Sequence, residues 1–261
     1  MLGVAFAMAL GSRSYSRGYV GYGGLPPGTK ALLISNVAVF LVYFLAPRIG
    51  LAEAFTYLEL IPAAVVRFFF LWQLVTYLFI HGGIGHILFN MLTLYFFGKD
   101  LEEAWGTRRF LRYYFVCGIG AGVCVVIANY IAGTPGIRTI GSSGAIYGLI
   151  LAAAMLWPER MVLFFFFPIK LKYMAIIIGA IAFLQSMGAN TGVSEVAHLG
   201  GMLIGFLYLR SGLLGRSSRS RGPQIGLMDQ LRERYREWKI ARARKKFQVY
   251  MAKRDRDRGV N

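Results

Sequence analysis

Apolar and polar positions alternate along this chain in long blocks rather than at short period. Between Ala31 and Leu209 lie six stretches with few or no charges: 31–46, 86–97, 110–132, 143–157, 173–187 and 196–209. A helix needs about 20 apolar residues to cross a hydrocarbon core of about 30 Å. Backbone facing lipid must also satisfy its hydrogen bonds internally, which favours helices. The pattern therefore predicts an all-α membrane protein built as a six-transmembrane-helix bundle. A partly apolar stretch, 54–85, precedes the second span, and MVLFFFFPI (161–169), broken by Pro168, is too short to cross and is expected in a loop or at the interface.

Outside these blocks the chain reads as three regions: a Gly-, Ser- and Tyr-rich N-terminal tail (1–30), the membrane domain (31–210) and a basic C-terminal tail (211–261). The apolar MLGVAFAMAL comes first and Arg13 and Arg17 follow, the reverse of a signal peptide, so a flexible or weakly membrane-associated tail is expected, with a cleaved peptide as the alternative. Hydrophobic residues make up 56% of the chain, above the usual range for soluble domains, which agrees with the block pattern. Cys117 and Cys124, seven apart on one helical face, are poorly placed for a disulfide and read as packing residues.

Charge sets the expected orientation. The C-terminal tail holds 15 Lys and Arg against 5 Asp and Glu, which accounts for much of the formal +17. A basic tail directly after a membrane helix reads as cytosolic and attracted to anionic headgroups. Met228, Leu231, Tyr235 and Trp238 recur there at helical spacing, which predicts a partly amphipathic helix on the inner leaflet. A partner-docking helix is the alternative, and nucleic acid is not expected as a partner. With both termini cytosolic, the inner segments carry Lys30, Lys99, Arg108, Arg109, Arg112, Arg160, Lys170 and Lys172, and the outer ones only Arg48, Arg67 and Arg138.

Polar side chains inside spans are expensive and by default mark function. Here they are His86 and Asn90 in the second span, Ser143 and Tyr147 in the fourth, and His198 in the sixth. At about 1.5 Å per residue, His86, Ser143 and His198 all lie about 20 Å from the inner end of their helices. Three polar levels at one height predict the floor of a water-accessible pocket open to the outside, with no carboxylate at that level. A hydroxyl and an imidazole so placed suit nucleophilic catalysis, with Ser143 as nucleophile at a helix N-terminus and His198 as base. His86 and Asn90, four apart, share a helical face and suit stabilisation of a developing oxyanion. Gly144 and Gly148 on the fourth span, and Gly201 and Gly205 on the sixth, form small-residue faces that allow close helix packing. Ser142 offers a second hydroxyl, as a helix cap or as the nucleophile itself. A metal site is not expected, since His81 and His86 form no recognisable ligand motif with a carboxylate.

HGGIGHILFN (81–90), GSSGAIYG (141–148) and AHLGGMLIG (197–205), in that order, resemble the rhomboid family of intramembrane serine proteases over about residues 31–210. The resemblance implies a rhomboid-like bundle with a partly embedded loop between helices 1 and 2, here about 48–80. It selects Ser143 over Ser142 as nucleophile and His198 as base. His86, Asn90 and the Ser143 amide become the oxyanion hole, Tyr147 packs beside His198, and His81 stands near the site. Trp72-Gln73 replaces a Trp-Arg pair common in relatives, and LEEAWGTRR (101–109) is similar to the family's turn after span two. The implied activity is endopeptidase cleavage of transmembrane substrates, with small residues at the cleavage point and helix-weakening residues beyond it, and without metal or cofactor. The rival is a non-catalytic rhomboid-like binder of membrane proteins. The expected location is a bacterial plasma membrane, with the active site opening outward.

Overall fold

The computed structural model describes residues 24–164, 166–187 and 192–211. The expectations for most of the N-terminal tail and for the amphipathic basic tail lie outside these residues. The first helix, α1 (Pro27–Leu45), starts with Pro27 at its first position, where a missing N–H costs nothing. It ends in a tight 3₁₀ turn, Ala46–Ile49. Three short helices follow, α2 (Ala52–Thr56), α3 (Pro62–Phe68) and α4 (Gln73–Thr76), the last running into a 3₁₀ turn at Tyr77–Phe79. The chain between the first two predicted spans is thus a folded excursion. Leu60 pairs with Thr139 through reciprocal backbone hydrogen bonds, the Gln73 side chain bonds Ile61 N–H and Tyr57 C=O, and Thr76 Oγ1 donates to Leu58 C=O.

The second predicted span is longer than its apolar pattern. Helix α5 (Ile84–Thr93) continues through a π-helical turn, Leu94–Gly98, into α6 (Lys99–Trp105). The charged residues of α6 break the hydropathy but not the helix, because Glu102 has structural partners. Its carboxylate accepts from Gly28 N–H at 2.8 Å, from Thr29 N–H at 2.6 Å, and from the Thr29 and Thr107 hydroxyls at 2.7 Å. An acidic group at a helix start satisfies orphan donors and complements the dipole, so α6 anchors the first turn of α1.

Helix α7 (Thr107–Ile131) is followed by the loop 132–142 and by α8 (Ser143–Leu156). The ends of 161–169 form a short antiparallel hairpin, β1 (Met161–Phe164) with β2 (Phe167–Lys170). Pro168 is tolerated because a two-stranded ribbon consists only of edge strands. The chain then enters α9 (Leu171–Ser186) and α10 (Gly192–Arg210). Each predicted apolar stretch overlaps a helix. By length and apolarity, among the described residues, Pro27–Ile49 and Thr107–Ile131 qualify as crossing helices. A third qualifies if Gln73–Phe79 and Ile84–Trp105, bent by 98°, count as one.

Helix α8 is buried nearly all round, the expected state for a helix with no polar face. It packs against α7 and α10, which also pack on one another. A Cβ added at Gly201 would overlap the Gly144 carbonyl, and one at Gly144 would stand 3.0 Å from Ala197 O. Only glycine at these positions lets the two helix backbones touch. Gly148 contacts Cys117 of α7 as well as α10, whereas Gly205 faces Tyr113 and Cys117 of α7 rather than α8. Both cysteines are free. Outward faces are apolar instead: Ile34, Leu41 and Leu45 on α1, and Ile176, Phe183 and Leu184 on α9 are exposed. Such uncovered apolar faces belong to a protein whose solvent is lipid.

Candidate active site

The turn before α8 carries the site. Gly141 has φ +112°, in the region that side chains avoid, and its N–H donates to Tyr77 C=O at 2.9 Å. There is also no room for a side chain. A Cβ at Gly141 would lie 2.6 Å from His86 Nε2 and 3.9 Å from Asn90 Nδ2. One face of α5 is therefore pressed against the backbone immediately ahead of the two serines.

Ser142 takes the N-cap position but makes no side-chain cap bond. It is fully buried, and its Oγ meets His81 Nε2 at 3.3 Å; His81, also fully buried, meets Phe79 C=O through Nδ1 at 3.3 Å. Ser143 is the first residue of α8 and only partly buried. Its Oγ lies 2.8 Å from His198 Nε2, across the α8–α10 contact that Gly144 and Gly201 allow. Of the two neighbouring hydroxyls, one is consumed by an inaccessible histidine and the other is paired with a partly accessible one.

The His198 ring stacks on Tyr147 at 4.2 Å between centroids and 3° between planes. On the other edge of the ring, Nδ1 is 2.8 Å from Glu195 Oε2. This corrects the expectation that no carboxylate stands at this level. The apolar pattern placed the start of the last span at Val196, but α10 begins at Gly192, so Glu195 is within its first turn and buried. Residues three apart on a helix share a face, but that spacing bears on Glu195 only once the helix is known to begin before Val196.

His86 packs edge-on against His81, with centroids 5.0 Å apart. Asn90 Nδ2 is buried and has no hydrogen-bond partner. The Ser143 N–H belongs to the first turn of its helix, whose donors lack intrahelical acceptors. Ser143, His198, Tyr147, His86 and Asn90 are thus gathered around Gly141 and the mouth of α8. A cavity of about 540 Å³ opens nearby, bounded by Tyr43, Glu59, His81 and Arg138, and is lined by neither Ser143 nor His198. Glu59 at its wall pairs with Arg138 at 3.3 Å.

Residues 69–213 match the model of the Rhomboid domain. RHOMBOID-like protein 1 of Arabidopsis thaliana is 35% identical over 136 residues, 52% of this chain and 33% of that protein. The Bacillus subtilis (strain 168) protein named "Putative rhomboid protease YdcA" is 34% identical over 137 residues, 52% of this chain and 64% of its own length. Rhomboid-like protease 5 of Toxoplasma gondii is 32% identical over 147 residues, 53% of this chain and 16% of the relative. The chain thus spans less than two thirds of the length of these curated relatives. With more than half of its residues inside the domain match, and with apolar helices carrying that match, this integral membrane protein belongs to the rhomboid family.

Proposed function

We propose that the chain is an intramembrane serine endopeptidase that cleaves transmembrane protein substrates through a Ser143–His198 dyad and an acyl-enzyme. The observation that carries this reading is the 2.8 Å hydrogen bond from Ser143 Oγ to His198 Nε2 at the mouth of α8. As the Oγ electron pair adds to the scissile carbonyl carbon, the hydroxyl proton passes to Nε2. The imidazolium then returns that proton to the departing amine as the C–N bond breaks, leaving an ester on Ser143. Water repeats the two transfers and releases the acid.

The negative charge on the carbonyl oxygen is met by the Ser143 N–H, the Asn90 amide and His86. The unpartnered Asn90 Nδ2 supports this role, since a buried donor left free in the resting protein is ready for an acceptor that arrives only during reaction. Tyr147 holds the ring of the base by stacking. Substrate helices with small residues at the cut and weak helix beyond it fit best, because a carbonyl must leave its helical hydrogen bond before attack.

The same reading makes α1, α5, α7, α8, α9 and α10 the cores of six spans and 31–210 the membrane domain, with tails at 1–30 and 211–261. Exposed Phe68, Phe69, Leu71 and Trp72 support a loop partly embedded in lipid between the first two spans. Both termini are cytosolic, the basic tail lies on anionic headgroups, and the site opens to the outside of a bacterial plasma membrane.

A fluorophosphonate probe tests the chemistry. It should label the detergent-solubilised chain at Ser143, and Ser143→Ala and His198→Ala should each abolish both labelling and cleavage of a transmembrane substrate. A folded chain that labels at no serine would instead be a non-catalytic binder of membrane proteins.

A further inference from the structure

Glu195 has no part in the dyad chemistry described above, yet it is one of the few acidic side chains buried in the described residues, at 6% exposure. Removing a carboxylate from water costs several kcal/mol unless it is paired and hydrogen-bonded. Its position in the first turn of α10 offsets part of that cost, because the helix N-terminus favours negative charge. The carboxylate is nevertheless directed at an imidazole: Oε2 lies 2.8 Å from His198 Nδ1.

We propose that Glu195 is the positioning residue for the base, the third member of a Ser143–His198–Glu195 chain. The proposal rests on the proteolytic reading. A carboxylate can only accept, so Nδ1 carries the ring proton and Nε2 presents its lone pair to the Ser143 hydroxyl. The Tyr147 ring fixes the plane of the imidazole, and Glu195 fixes its rotation within that plane. When the Ser143 proton reaches Nε2, the resulting imidazolium faces a carboxylate at hydrogen-bond distance. Glu195 takes no proton at any step. It holds one tautomer and stabilises the charge that forms on its neighbour. The groups around the ring are Glu195 on its own helix, Ser143 and Tyr147 on α8, and His86 on α5.

The experiment uses the full chain in detergent micelles, with a fluorophosphonate labelling rate and steady-state cleavage of a fluorogenic transmembrane peptide. Glu195→Gln keeps the volume but lets the amide turn either way, admitting the wrong tautomer. The labelling rate should fall at least about 10-fold and by as much as about 10⁴-fold, the cost of the same acid-to-amide change beside the base of a Ser-His-Asp triad. The loss should fall on kcat with KM unchanged, and Glu195→Asp should recover most of it. The folded fraction at the assay temperature, read by thermal unfolding in the same micelles, should be unchanged in Glu195→Gln, so that the loss is not one of folding. Wild-type rates in Glu195→Gln would overturn the assignment while leaving the dyad intact. So would a drop in folded fraction large enough to account for the lost rate, which would mark a folding role, or no recovery in Glu195→Asp. Absence of wild-type labelling at Ser143 would instead bring down the proteolytic reading and this proposal with it.

Discussion

Asn90 is costly as it stands. Its buried amide nitrogen has no hydrogen-bond partner, and an unsatisfied buried donor costs about 1–3 kcal/mol. The donor lies against Gly141, two residues before Ser143, where a transient acceptor would form. Asn90→Leu keeps the volume and removes the orphan. Its thermal midpoint should equal or exceed that of the parent, while kcat for a transmembrane substrate falls about 10²- to 10³-fold, the cost of one oxyanion donor. A drop in midpoint with kcat intact would mark Asn90 as a packing residue. Most residues of the site were legible in the sequence because hydroxyl, amide and imidazole groups stand out in apolar helices. Two features were hidden. Ser142 and Ser143 differ only in burial and partner, which spacing does not encode. Glu195 was hidden because hydropathy marks where a helix enters lipid, not where it begins, and α10 starts a turn before its apolar run.

At the level of elements, hydropathy found the helices and misplaced their ends for the same reason. Lys99, Asp100, Glu102 and Glu103 end the apolar pattern of the second span, while the helix runs on to Trp105. The ends of the hairpin 161–170 escaped because its aromatic run has no alternation. What holds α6 in place is polar and long-range, invisible to any local pattern: the four hydrogen bonds from Gly28, Thr29 and Thr107 to the Glu102 carboxylate. Glu102→Ala leaves those buried donors unanswered and should lower stability by about 2–4 kcal/mol, measured by equilibrium unfolding in mild detergent. Glu102→Gln, which retains one acceptor oxygen, should lose less. Ser143 labelling below the unfolding midpoint should survive in both, because α1 and α6 contribute no group to the site. The α8–α10 contact behaves differently. It brings Ser143 and His198 together through Gly144 and Gly201, so a side chain there forces the helices apart and breaks that hydrogen bond in the same step.

Among the described residues, much of the outside is apolar and several buried side chains are polar, the reverse of a soluble domain. Glu102, Gln73, His81, Asn129 and Glu195 are buried, whereas Ile176, Phe183, Leu184 and Ile131 are exposed. This inversion gives a prediction whose sign depends on the solvent. Ile176 is exposed near the middle of α9 and touches no part of the site. On a soluble protein, Ile176→Arg would be close to neutral and would favour solubility. In a bilayer, arginine near the centre of a crossing helix costs about 2.5–3.5 kcal/mol in insertion, while leucine contributes favourably. In reconstituted vesicles, Ile176→Arg should therefore reduce the alkali-resistant integrated fraction and lower the unfolding midpoint, and Ile176→Leu should leave both unchanged. Phe167, exposed on β2 outside any helix, serves as the control position. If that hairpin lies at the headgroup level rather than in the hydrocarbon, Phe167→Arg costs far less than Ile176→Arg, and equal penalties would move the hairpin into the membrane. An arginine tolerated equally at both sites would remove α9 from the lipid boundary.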